Sequence, residues 1–122
     1  MTLDDSGSIL RGVKEAEGCA LLRAKFTDAG YAIVPDFHFQ EDGVEVDLDG
    51  WDAAARVGYE YITREARDER QFDEATLSKF EARMERGELY VLLIDEQDAV
   101  TAQALEAAAE GFLAELDARK KR

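Results

Sequence analysis

The stretch Asp42–Thr63, DGVEVDLDGWDAAARVGYEYIT, decides how this chain folds. Val44, Val46 and Leu48 alternate with Glu45, Asp47 and Asp49, a period of two that sends the hydrocarbon set to one side of an extended strand and the acids to the other. Asp42-Gly43 ahead of them tolerates the positive φ angles of a tight hairpin turn. The alternation of Ile33, Phe37 and Phe39 in the segment Tyr31–Gln40 therefore reads as the partner strand. Pro35 cannot donate to a ladder and places a bulge or a sheet edge there. On the other side, Asp49-Gly50 opens a connection that carries Trp51, and RVGYEYIT, Arg56–Thr63, makes a third strand. Val57, Tyr59 and Tyr61 share one side of it; Gly58, Glu60 and Ile62 share the other. Three such strands in succession form an antiparallel meander.

The flanks change period. Ile9, Val13, Ala16 and Ala20 recur at helical spacing, widened by Leu10, Leu21 and Phe26, so a helix is expected from a Ser8 cap toward Thr27, ended by Gly30. After the charged stretch Arg64–Glu74, which reads as a solvated connection, Asp73 caps a helix with the stripe Leu77, Phe80 and Met84, and Gly87 ends it. The continuous apolar run Leu89–Ile94 is the pattern of a central strand covered on both faces, reached by a helical crossover and so parallel to its predecessor. Asp98 or Thr101 caps a last helix that turns Leu105, Ala109, Phe112 and Leu116 inward, with Arg119 to Arg122 beside its C-terminal dipole. The expected fold is α+β in the order α-β-β-β-α-β-α: a three-stranded antiparallel meander, a parallel fourth strand, and helices packed on the sheet. Residues 1–7 read as a flexible terminus and 8–122 as one domain.

Charge narrows the partners. The 122 residues carry 28 Asp plus Glu against 15 Lys plus Arg, a formal charge of −13. That excess repels nucleic acid and anionic lipid and favours basic protein segments. The single cysteine, Cys19, has no internal disulfide partner and reads as a small packing residue among Ala16, Ala20, Leu22 and the stem of Arg23. No run approaches the roughly 18 apolar residues of a membrane span, and the N-terminus lacks the basic and apolar regions of a secretory signal. A cytoplasmic setting without membrane attachment is the expectation. Gly-rich phosphate loops, HExxH and CxxC are absent, and DGVEVDLDG lacks the spacing and terminal glutamate of a calcium-binding EF-hand loop.

The acids are concentrated. Between positions 36 and 60 stand Asp36, Glu41, Asp42, Glu45, Asp47, Asp49, Asp52 and Glu60 against one base, Arg56. Glu45, Asp47 and Asp49, joined by Asp36 and His38 from the first strand and Glu60 from the third, are expected to share one open face. Such a row is either the wet side of a sheet or a seat for a hard cation, magnesium or calcium, held by Asp47, Asp49 and Glu60.

The element order α-β-β-β-α-β, with an acid at the end of the second strand and another on the third, resembles the core of the restriction-endonuclease-like superfamily. Asp47 or Asp49 in VDLDG, Glu60 in GYEYI, and Glu15 or Glu17 on the first helix stand where that superfamily places acids. The resemblance implies a metal-dependent nuclease or phosphodiesterase. The superfamily pattern requires a lysine two residues after Glu60, where this chain has Ile62; Lys79 and Arg64 are the available substitutes, so a catalytic reading rests on Glu60 and Lys79. Without that lysine, the expected function is non-catalytic binding without a cofactor. Glu45, Asp47 and Asp49, with the aromatics Trp51, Tyr59 and Tyr61, would then dock a basic protein segment. A DNA-mimicking inhibitor, its carboxylates spaced like phosphates, is the third reading.

Overall fold

The computed structural model of the chain describes residues 13–64, 66 and 70–120. The elements are α1 (Glu15–Asp28), β1 (Val34–Glu41), β2 (Val44–Asp52), β3 (Val57–Ile62), α2 (Glu74–Glu85), β4 (Tyr90–Asp95) and α3 (Ala102–Lys120). They form one sheet in the order β1-β2-β3-β4, antiparallel through β3 and parallel between β3 and β4. This is the α+β arrangement expected from the alternation and the crossover. The helix expected to run from Ser8 instead starts at Glu15, after an extended Lys14; Ser8 itself and the N-terminal segment expected to be flexible lie outside the described residues.

Local signals act as their chemistry demands. Asp42 and Gly43 take φ angles of 48° and 80°, the mirror-image turn that matches strand twist. Asp73 accepts from the Thr76 amide at 2.9 Å and starts α2. Thr101, of the two candidate caps, accepts from the Ala104 amide at 3.1 Å. Pro35 lies in β1, an edge strand, and the next residue, Asp36, sits at φ 50°.

Two apolar layers sandwich the sheet. On one face α1 and α3 bring Leu22, Phe26, Leu105 and Ala109 onto Val57, Tyr59, Tyr61 and Ile94. On the other, α2 sets Phe80 among Phe39, Val46, Leu48, Ile62 and Val91. Strand β3 is therefore buried along its whole length. Helix α1 approaches it so closely that a Cβ on Gly18 would lie 2.3 Å from the Tyr61 ring, and the Tyr61 hydroxyl donates to the Val13 carbonyl.

Three expectations are corrected. Strand β4 is an edge strand, not a central one. Its continuous apolar run reports helices on both faces and carries no information about a neighbour in the plane of the sheet. Trp51 is not in a loop but in β2, 2% exposed, against Phe37 and Phe39. The charged connection before α2 is not wholly solvated, because Phe72 is buried and stacks on Phe80.

One acid of the crowded segment belongs to neither reading of the row. Glu41 receives both Arg56 Nη1 at 2.8 Å and Arg56 Nη2 at 2.7 Å, and Arg83 Nη2 from α2 at 3.0 Å, which ties the hairpin end to the helix. Hydrogen bonding from Arg56, then from Arg83, holds its carboxyl at about 2 against an ordinary 4.5. A folded value below the unfolded one stabilises above the unfolded value and is lost as pH falls through the folded one. Glu41→Gln is therefore expected to cost on the order of 1 kcal/mol at neutral pH, after discounting for solvent screening. In urea titrations against pH that difference should close between 4.5 and about 2. A difference that persists at the acid end would mean that Glu41 contributes through packing instead.

Candidate carboxylate site where β2 leaves β3

The site is built on a break in the ladder. β2 pairs with β1 along its length but with β3 only through Gly50↔Tyr59, Trp51↔Gly58 and Asp52↔Val57. N-terminal to Gly50 the two strands fork, and backbone amides at the fork need other partners. Side chains supply them. The Tyr61 amide donates to Asp49 Oδ2 at 2.8 Å, and the Asp49 amide donates to Glu60 Oε1 at 2.8 Å. Asp49 and Glu60 thus stitch the fork as well as charging it.

Glu60 corrects the expectation of a wet row, because it is 0% exposed. Alternation puts it on the side of β3 that carries Ile62 and packs on α2, whereas Asp49 leaves β2 on the side of α1. Its carboxylate reaches the Asp49 amide through the gap that the fork opens.

Helix α1 closes the site from the other direction. Glu15, Cys19 and Asp49 each offer one ligand atom, all within 4.8 Å of one another. Glu15 Oε1 accepts from the Thr63 hydroxyl at 2.6 Å, and the Cys19 thiol donates to Glu15 Oε2 at 3.1 Å. Burial, then the charge of Asp49 and the hydrogen bond to Glu15, pushes the thiol well above its ordinary range, so it stays protonated at neutral pH. One turn further along α1, the charge of Arg23 acts on the Tyr59 hydroxyl, whose pKa is raised chiefly by burial.

The remaining sequence candidates separate from this cluster. Asp47 and Glu45 are exposed on the outer part of β2 and grip His38 between them, Asp47 at Nδ1 and Glu45 at Nε2, each at 2.8 Å. Hydrogen bonding to Asp47, then to Glu45, raises the histidine pKa. Gln71 brackets Asp47, accepting from its amide at 2.7 Å and donating to Oδ2 at 3.2 Å. Of the expected ligand set Asp47, Asp49 and Glu60, neither Asp47 nor Glu60 enters the close group, which among the described residues is Glu15, Cys19 and Asp49. Of the two helix acids, Glu15 is the one at the site, and Glu17 is exposed.

Trp51, Tyr59 and Tyr61 are 2%, 1% and 0% exposed, so the proposed aromatic docking patch is core. Alternation assigns a side, but here both sides are covered. Lys79 is no substitute for the missing lysine, because its Nζ lies 4.0 Å from where a Gly43 Cβ would sit, at the far end of β2 from Asp49. Arg64 is held by Asp95 at 2.7 and 2.9 Å. Ile62 is buried in the α2 core.

The sequence reading missed Cys19 as a site neighbour. Its signal is the spacing of Glu15 and Cys19, one turn apart on one face of α1; the buried face of the helix is Gly18, Leu22 and Phe26, whereas Ala16 and Ala20, expected to face the core, are exposed.

Comparison of the chain with protein-family models, curated proteins and solved structures gave no match. No helix among the described residues is long and apolar enough to cross a membrane.

Proposed function

We propose that the chain acts by binding, and that Glu15 and Asp49, backed by Glu60, seat a hard divalent cation at the fork of β2 and β3. The observation that carries this is the meeting of Glu15 and Asp49, from two separate elements, within 4.8 Å. Like charges so close repel, and a cation between them replaces repulsion with attraction. The donor set fits magnesium or calcium, which prefer carboxylate oxygens. The Cys19 sulfur is the one soft atom of the group, and its hydrogen is directed at Glu15 Oε2 at 3.1 Å; a hard ion draws on the two carboxylates instead. When bound, such a cation supplies Lewis acidity and a fixed positive charge at the fork.

The acids at the fork support reading the chain as a restriction-endonuclease-like scaffold that keeps its carboxylates and has lost its lysine. Buried Ile62 and distant Lys79 support binding over phosphodiester cleavage.

Thermal melting with increasing magnesium, calcium or manganese tests this. At a hundredfold excess over Kd the gain is about 2.7 kcal/mol, a rise of roughly 8 °C for a chain of this size. Asp49→Asn and Glu15→Gln should remove the rise, and Glu45→Gln should keep it. A wild-type midpoint that ignores all three ions would refute the cation seat.

A second reading rests on the exposure of Glu45 and Asp47 on the hairpin face that α1 and α3 leave uncovered. There a basic protein segment would dock by charge. The same melting series with a lysine-rich peptide separates the two. Docking on the hairpin survives Asp49→Asn and fails in Glu45→Gln with Asp47→Asn.

A further inference from the structure

We propose that the outer edge of β4, which pairs with no strand among the described residues, receives a basic, extended peptide segment as a fifth strand. Tyr90 donates to the Arg56 carbonyl and Glu96 to the Ile62 carbonyl, each at 2.9 Å. In a parallel pair these bonds fix the alternation: Tyr90, Leu92 and Ile94 face β3, while Val91 and Leu93 direct their N–H and C=O groups away from the sheet. The Val91 amide meets the Met84 thioether at 3.5 Å, a weak acceptor that an incoming carbonyl improves upon.

The surroundings fit a strand. A groove of about 570 Å³ runs along this edge, lined by Leu92 and Phe112 from one face of the sheet and by Leu77, Met84 and Leu93 from the other. An added strand alternates its side chains between the two faces, and each set would find an apolar wall.

Charge selects the occupant. Glu74, Ser78 and Glu81, on successive turns of α2, form the rim of the groove. A second copy pairing antiparallel through β4 would set these glutamates against their equivalents, on chains that each carry −13. That repulsion protects the edge from self-pairing. A segment bearing lysine or arginine is attracted by the same rim.

This site is independent of the cation seat and of the hairpin face. The probe is a fluorescein-labelled peptide alternating lysine and valine, followed by anisotropy, with two counterparts: one N-methylated at alternate amides, one with glutamate for lysine. Expected results are binding of the lysine peptide, about tenfold weaker binding of the N-methylated form, and unchanged binding to Asp49→Asn and to Glu45→Gln with Asp47→Asn. Glu74→Lys combined with Glu81→Lys should weaken the lysine peptide about tenfold and admit the glutamate peptide. The proposal is overturned by equal binding of the N-methylated form, by indifference to the α2 charge reversal, by no binding of the lysine peptide, or by a sedimenting dimer whose Leu93 amide is already protected from exchange.

Discussion

Trp51→Ala is expected to destabilise the protein by about 3–5 kcal/mol, the range for emptying a buried aromatic site. The indole sits at the last part of β2 that still pairs with β3, opposite Gly58. It stacks on Phe37 at 6.2 Å, meets Phe39 edge-on at 5.3 Å, and lies under the Arg56 guanidinium at 5.3 Å. Those contacts tie β1 and the turn before β3 to the indole, which is part of the core under α2, so removing it empties the centre of that layer. Urea denaturation checks the value. A loss below about 1.5 kcal/mol would mean that the site collapses or that the indole is not fixed there.

Gly58→Ala is the second large effect. A Cβ at this position would lie 2.4 Å from the Gly50 carbonyl oxygen and 2.8 Å from Trp51 Cε3. The first is backbone of the neighbouring strand, which can yield only by lengthening the few remaining β2–β3 bonds. About 3 kcal/mol is expected, at the upper end of overpacking costs. Gly111→Ala is the matched control. It lies in α3, and nothing within 4 Å meets its added Cβ, so replacing glycine in the helix should stabilise by roughly 0.5–1 kcal/mol. Equal melting midpoints for the two variants would contradict the close approach of β2 and β3.

Much of the fold was legible because each signal was local. The period of Val44, Val46 and Leu48, the Asp42-Gly43 turn and the Asp73 cap act within a few residues of themselves. What failed needed knowledge of a neighbour. The apolar run of β4 shows that its faces are covered, but a strand order is a fact about other segments. The aromatics of β3 were assigned to a side correctly, and only the docking of α1 and α3 shows that this side is closed. The candidate site was half legible for the same reason. Glu45, Asp47 and Asp49 do share a side, but the fork at Gly50 draws Asp49 toward α1 and leaves Glu45 and Asp47 with His38. Glu60, read as solvated, fills the gap that the fork creates, and the alternation of one strand holds no sign of that gap.

The acidic row thus divides into an outer part, wet and gathered around a histidine, and an inner part gathered between α1 and β3. The cation seat is tested most directly by anomalous diffraction from crystals grown with manganese. A single strong peak between the carboxylates of Glu15 and Asp49 is the expected result. Manganese on His38, Glu45 and Asp47 with none beside Asp49, or no ordered manganese at all, would contradict it.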